Sequence, residues 1–452
     1  MARKDDSRIS VSRRSVLMAG AGLGALAAPM LNTKTLFAQS GAFNWRRFQG
    51  QSIEASLVTG PRAENARRHN AEFQALTGIT VGVEVIPEQQ HRQKAVIEFN
   101  SGRPSFDVFQ LAYHVQKRQF ARARWLHDVT DWLNDPQMTP ADWDKADITQ
   151  RGFEYATDDG RTRSLPWSVD PWMLYWNKEL FAAKGVQYPQ TIDDIVTAAA
   201  RLHDPANGIA GVVARGLRNA NLPVYTQILL GWGQETVTGS PPRLITDTPD
   251  AIAAAEIYKK LLKDYGPQGV AGYNWNESQS LFIQGRAAMW IDGVGFAPPV
   301  EDRTRSRVVG KVGYGVFPRG PKAHHSAMFG DGIGIPAASQ KKEAAYLYCL
   351  WVTNKQMCNR LMQAGGGVPF RSSTLSDPQT LASLSVPRDW ATCVQQSLPI
   401  VRPGLPVIVP VTEFRDTFGT ALTNMIGGAD AASEMRRATA EFAPVLARSE
   451  QG

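Results

Sequence analysis

The sequence predicts an α/β protein built on parallel strands and long enough to fold as two lobes. Three observations carry this expectation. Between residues 52 and 123, strand-like runs alternate with helical runs at the spacing of βαβ units. Once an N-terminal leader is set aside, about 410 of the 452 residues remain (452 minus 40), enough for two full cores. A second region, after Gly160, opens with an extended aromatic run of its own.

The leader comes first in the chain. Arg3, Lys4, Arg8, Arg13 and Arg14 precede an apolar stretch from Val16 to Met30, and Ala38-Gln39-Ser40 follows with small residues suited to cleavage. The pair Arg13-Arg14 resembles a twin-arginine export signal, with Val16 where Phe is commonest. Residues 1–40 are therefore expected to be a twin-arginine-type signal peptide, with retention as an anchor as the alternative. The apolar stretch is short and glycine-broken against the roughly 20 apolar residues that a spanning helix needs. Six basic and two acidic residues give the leader a net +4 of the chain's +7, so the mature part is only about +3. No basic stripe interleaved with aromatics appears, and nucleic acid is not an expected partner. Cys349, Cys358 and Cys393 show neither disulfide arithmetic nor metal-ligand spacing, and Cys349 sits in an apolar-periodic run suited to a buried thiol.

The mature part opens with the alternating Ser52–Val58, a turn at Gly60-Pro61 and a helical stretch Ala63–Leu76 ending near Gly78. Valine-rich Thr80–Ile86, helical Gln90–Asn100, short Val108–Ala112 and helical Val115–Ala123 follow. In open parallel sheets ligands lie outside the carboxyl ends of strands. This puts Thr59-Gly60, Glu88-Gln89 and Tyr113-His114 on a candidate ligand rim. Further on, Leu165–Trp176 reads as extended, and Lys178–Lys184, Ile192–His203 and Thr248–Tyr265 as helical, the last with Pro249 in its first turn. Ser339 is expected to cap one helix running to Ala364 and stopped by Gly365, and Ala431–Ala447 to form a surface helix.

Several stretches resemble the extracellular solute-binding proteins that include maltose-, multiple-sugar- and polyol-binding members. They are Phe73–Ile79, Asp107-Val108-Phe109, Leu165-Pro166-Trp167 through Tyr175–Phe181, Phe282–Met289, Gly332–Pro336 before Lys341–Ala345, and Gly367–Arg371. The resemblance spans almost all of the mature chain and implies a periplasmic-binding-protein-like fold of two α/β lobes with a hinged cleft between them. It implies an N-terminal lobe of residues 41–166 plus 323–365 and a C-terminal lobe of 167–322 plus 366–452. The crossings are expected near Leu165–Asp170, Pro318–His325 and Gly365–Arg371. It further implies a monomeric periplasmic protein, neither an enzyme nor dependent on a cofactor or metal. Such a protein delivers a sugar or polyol to the transmembrane permease subunits of an ABC importer.

The residues can be read for such a site directly. A polyhydroxylated ligand offers C–H faces to aromatic rings and hydroxyls to carboxylates, amides and guanidinium groups. Asp170 follows Pro166 by four, the position from which a carboxylate faces the cleft in related sugar binders; the alternative is a capping or hinge-fixing Asp. Trp172 would share a strand face with Leu174 and Trp176, as cleft wall or as core. After Met289, Gly295 stands where the family usually places a cleft aromatic, leaving Phe296 or Asp292 to substitute. Trp232 and Trp275 sit on polar, turn-like ground, with lobe packing as the alternative. Glu88 with Arg92-Gln93 resembles the corresponding loop of polyol-binding members. Tyr113 follows the third strand, and Asp331 precedes the returning strand as ligand carboxylate or turn residue. Arg371 reads as an exposed arginine or one reaching the cleft.

Other chemistries find less support. Gly20–Gly24 lies in the leader and follows no strand, His324-His325 lacks i,i+4 spacing, and Gly365–Gly367 lacks the Lys-Ser/Thr of a phosphate loop. A glycoside hydrolase would need two carboxylates across a glycosidic bond, for which Asp170 with Asp292 or Asp331 is the candidate pair. A binding protein for a polyamine, an amino-acid derivative or a phosphorylated polyol is the nearer alternative.

Overall fold

The computed structural model describes residues 42–450; the expected signal peptide lies outside the described residues. The first βαβ units form as read. β1 (Ser52–Val58), α1 (Pro61–Thr77), β2 (Thr80–Ile86), α2 (Glu88–Ser101), β3 (Val108–Ala112) and α3 (Tyr113–Arg122) follow one another, and both β2 and β3 pair with β1 in parallel. Ile53, Ala55 and Leu57 alternate into the core on β1. Pro61 opens α1, where its missing N–H leaves no donor unpaired, and Gly78 closes it at φ 71°, a conformation open to glycine.

The strand Ser326–Gly334 enters antiparallel beside β3, and the strand Leu165–Asn177 lies antiparallel on its other side. Leu165–Asn177 is 13 residues long and serves two neighbourhoods. Its first half pairs with Ser326–Gly334 and with Val368-Pro369, its second half with Met289–Gly293 and Val312–Val316. The register slips where Asp331 faces Ser168 and Gly332 faces Pro166, leaving Trp167 as the extra residue. A proline has no N–H for a ladder, and a bulge beside it is the usual accommodation.

Alternation along this strand also divides the cores. Met173 and Tyr175 join a cluster with Leu57, Phe73, Phe109 and Trp351, whereas Trp172 and Leu174 join a second with Tyr225, Tyr258, Phe414 and Phe442. The helix Ala431–Glu450 lies on this second cluster through Met435, Ala438, Phe442 and Leu446, so one face of the expected surface helix is core. The three cysteines are buried thiols.

One helix departs from expectation. The run from Ser339 to Ala364 is two helices, Lys342–Val352 and Lys355–Gln363, with Lys341 rather than Ser339 at the first N-cap. Thr353 Oγ1 donates back to the Cys349 carbonyl at 2.7 Å, and the Asn354 side chain accepts from Met357 N and caps the second helix. Both residue types compete locally for backbone partners, which favours a break. Ser339 instead donates to Asp107 Oδ1 at 2.7 Å.

Candidate ligand-binding cleft

A cavity of about 790 Å³ opens where the carboxyl ends of β1 and β2 face the middle of Leu165–Asn177 and the segments after Val213 and Met289. Thr59, Gly60, Glu88, Gln89 and His114 of the expected rim line it. Gln89 Nε2 donates to Asn219 Oδ1 at 3.4 Å.

One wall carries acids. Ser168, Asp170 and Trp172 share a face of the long strand by its two-residue period. Arg62, in the first turn of α1, meets that face. Its Nη1 donates to Ser168 Oγ at 3.0 Å and to Asp170 Oδ2 at 2.9 Å, and its Nη2 lies 2.6 Å from Asp331 Oδ2. Gln110 Nε2 also donates to Asp331 at 3.0 Å. Burial pushes the Asp331 carboxyl up; the Arg62 charge opposes the shift and the nearby Asp170 adds to it. Asp170 Oδ1 is buried with no hydrogen-bond partner among the described residues. A side chain at Gly295 would bring its Cβ to 2.7 Å from that oxygen, so glycine there leaves the carboxylate room.

A second wall is aromatic and basic. Trp275 and Phe296 stack at 5.1 Å with an interplanar angle of 19°. The Arg215 guanidinium lies 5.5 Å from the Phe296 ring and 5.2 Å from that of Trp172, in cation–π reach of both. Arg215 is held from behind by Asp292, Nε to Oδ2 at 3.0 Å. Glu88, at the first turn of α2, pairs with Arg92 one turn on. Burial alone would raise Glu88, but Arg92, Arg215, Arg415 and His114 outweigh it and hold the carboxyl down to about 2. Burial, with Arg92 and Arg415 beside it, drives His114 well below the usual imidazole range.

Of the residues singled out from sequence, Glu88, Asp170, Trp172, Trp275, Phe296 and Asp331 line this one cavity. Four do not. Tyr113 is buried beneath the sheet, its hydroxyl 2.9 Å from Ser164 Oγ, because Gly332 leaves the space its ring fills. Trp232 ends a short 3-10 turn and packs against the second core. Asp292 is fully buried behind Arg215 and serves to hold that side chain. Arg371 is neither exposed nor at the cavity; fully buried, it donates to the carbonyls of Thr353 and Trp143 and to Asp147 Oδ2, at 2.8, 2.7 and 3.1 Å. Trp275 stands on a helix, Trp275–Ile283, whose Glu277 side chain accepts from Asn274 N at 2.9 Å, rather than in a turn.

Arg62, Arg215 and Arg415 were not anticipated. Arg62 stands two residues beyond the rim at Gly60, and Arg215 ends the apolar run Val212-Val213-Ala214, so the carboxyl-end rule extends to both. Arg415 interrupts the buried face that Val411, Phe414, Phe418 and Leu422 make on the helix Val411–Ile426. A charge at an apolar period is a legible signal.

Residues 61–357, about two thirds of the chain, match the family described as bacterial extracellular solute-binding protein. The chain belongs to that family. Among curated relatives, the erythritol/L-threitol-binding protein of Mycolicibacterium smegmatis is 25% identical over 94% of this chain and 95% of its own. A probable amino-acid ABC transporter periplasmic-binding protein of Sinorhizobium fredii is 27% identical over 80% of this chain and 82% of its own. Among solved structures, an ABC transporter solute-binding protein of Agrobacterium radiobacter K84 in complex with ribitol superposes with a TM-score of 0.80. It is 24% identical and covers 88% of this chain and 99% of its own. This likeness establishes the two-lobe α/β fold of the family for the chain.

Proposed function

We propose that this solute-binding protein captures a small polyhydroxylated solute, a sugar or sugar alcohol, in the cavity and delivers it to the permease subunits of an ABC importer. One observation carries the reading. An unpartnered carboxylate oxygen, Asp170 Oδ1, and the aromatic surfaces of Trp172, Phe296 and Trp275 line the same cavity. Rings supply contact area for C–H faces at small entropic cost, and an ionised oxygen accepts a hydroxyl through a charge-assisted bond. The names of the erythritol/threitol-binding relative and the ribitol complex agree with it. Our reading includes export through the twin-arginine signal to the periplasm, action as a monomer, and lobes of 41–166 plus 323–365 and 167–322 plus 366–452, closing on ligand by a hinge motion. Binding without catalysis is part of the same reading. Asp292 is engaged with Arg215 away from the cavity surface, and Asp170 and Asp331 share the Arg62 guanidinium. An assay on oligosaccharides is expected to show no hydrolysis.

A ligand that binds only the folded protein raises its melting temperature by mass action. A thermal-shift screen over sugars, polyols, polyamines and phosphorylated polyols is expected to give its largest shift with a polyhydroxylated compound. Asp170→Asn is expected to lose most of that shift while the ligand-free melting temperature stays nearly unchanged, since the amide still accepts from Arg62. Full affinity in this variant would remove Asp170 from the site, and a hit confined to polyamines would replace the sugar reading.

A further inference from the structure

The charged groups around the cavity do not balance locally. Beside Arg62, two carboxylates share one guanidinium. Around Glu88 the count reverses: Arg92, Arg215 and Arg415 meet Glu88 and Asp292, three cations against two anions, while Asp416, next to Arg415 in the chain, lies outside the cavity lining and is engaged by Arg218 and Asn219. Asp292 is engaged by Arg215 through both oxygens. Glu88 pairs with Arg92. Arg415 has no carboxylate within ion-pair distance among the described residues, and its Nε donates to a backbone carbonyl, that of Asn219, at 3.0 Å. Next to it, Arg92 Nη1 and His114 Nδ1 are buried with no hydrogen-bond partner among the described residues.

A desolvated guanidinium without a counter-charge is unfavourable by several kcal/mol in an apolar setting. Packing alone gives no reason for a cation at this point of the Val411–Ile426 helix, whose neighbouring buried positions are Val411, Phe414 and Phe418. Burial, with Arg92 and Arg215 close by and Glu88 and Asp416 opposing them, lowers Arg415 to about 9, which leaves it charged at neutral pH. The uncompensated charge faces the cavity, since Arg92, Arg215 and Arg415 all line it.

We infer that the ligand is a polyhydroxy acid whose carboxylate sits among Arg92, Arg215 and Arg415 while its hydroxyl-bearing part lies against Trp172, Phe296 and Asp170. This rests on the reading of the cavity as a site for a polyhydroxylated solute, and it names the class. On the Glu88 side of the cavity the surplus is a single positive charge, which one carboxylate neutralises. A phosphate monoester carries about −1.5 to −2 and overshoots it. Two oxygens at a fixed angle also suit the planar fork of a guanidinium.

The test compares matched ligands that differ only at one terminal carbon. Calorimetric titration of the protein at low salt would use erythronate against erythritol, ribonate against ribitol and gluconate against glucitol, with ribitol 5-phosphate as the other anion. In the best-binding pair the acid is expected to bind at least about tenfold tighter than its alcohol, the order of one charge-assisted bond. That preference should shrink with added salt and fall to about one in Arg415→Met. Should that variant fail to fold, the acid-to-alcohol ratio of the unaltered protein decides alone. An alcohol bound as tightly as its acid overturns the inference and leaves the sugar or polyol reading standing. A phosphate bound more tightly than every carboxylate overturns it in favour of an ester. Binding of none of these overturns the wider reading together with this one.

Discussion

Arg62 and Arg415 both line the cavity, and both lie on helices that bury one face, yet the protein treats them in opposite ways. Arg62 is saturated: one guanidinium holds Asp170, Asp331 and the Ser168 hydroxyl. Among the described residues Arg415 makes a single side-chain hydrogen bond, to a backbone carbonyl, and no ion pair, with Arg92 and Arg215 close by. At the first, the cation organises two acids and leaves one oxygen of Asp170 free. At the second, the cation itself is left over. The difference teaches that a desolvated charge becomes structural when it is fully partnered and is kept for a guest when it is not. The identity of the side chain does not tell the two apart.

That comparison can be broken by substitution. Arg62→Met leaves two carboxylates in one desolvated spot without a counter-charge and is expected to cost about 3–5 kcal/mol of stability at neutral pH. The loss should narrow in acid, where protonation removes the repulsion. Urea unfolding at the two pH values measures it, and an unchanged midpoint would show that Arg62 does not hold the acids. The acid limb of stability tests the basic group. Glu88 is held down to about 2 in the folded chain against an ordinary value near 4.5. Its contribution is therefore fully present above about 4.5 and is lost as pH falls toward about 2. Glu88→Gln is expected to flatten stability across that window alone, as read from melting temperature against pH.

Gly295→Ala sharpens the picture of the free oxygen. Its Cβ would stand 2.7 Å from Asp170 Oδ1 and displace the carboxylate, costing about 1–2 kcal/mol of stability. Ligand affinity should drop by about tenfold, and titration calorimetry with the best ligand of the thermal screen would register the loss. The smallest effect is expected from Arg415→Met without ligand. Replacing an unpaired buried charge by an apolar side chain of similar volume should cost no stability, and raises it as far as the desolvation penalty is relieved. A loss as large as that of Arg62→Met would make Arg415 structural as well.

Local signals fixed much of the fold in advance. β1, β2 and β3 begin and end where alternation and valine content put them, and α1 ends at Gly78 as expected, though it starts at Pro61, two residues before the expected Ala63. The carboxyl-end rule brought Glu88 to the cavity, and the period of two set Asp170 and Trp172 on one strand face. These inferences work because period, caps and strand ends are properties of a few neighbouring residues.

Tertiary structure alone decided the rest. Tyr113 and His114 are consecutive, and only packing against Gly332 turned the first beneath the sheet and left the second at the cavity. Arg371 found carbonyls and a carboxylate from residues 143–147 and 353, more than two hundred positions away in the former case, and so became core. Asp292 and Asp331 are both buried acids, but one supports Arg215 from behind while the other stands at the cavity with Arg62. The charge balance of a site is a sum over residues from distant segments once water has been removed. No window of sequence contains that sum, and only the folded chain can show which arginine has a partner.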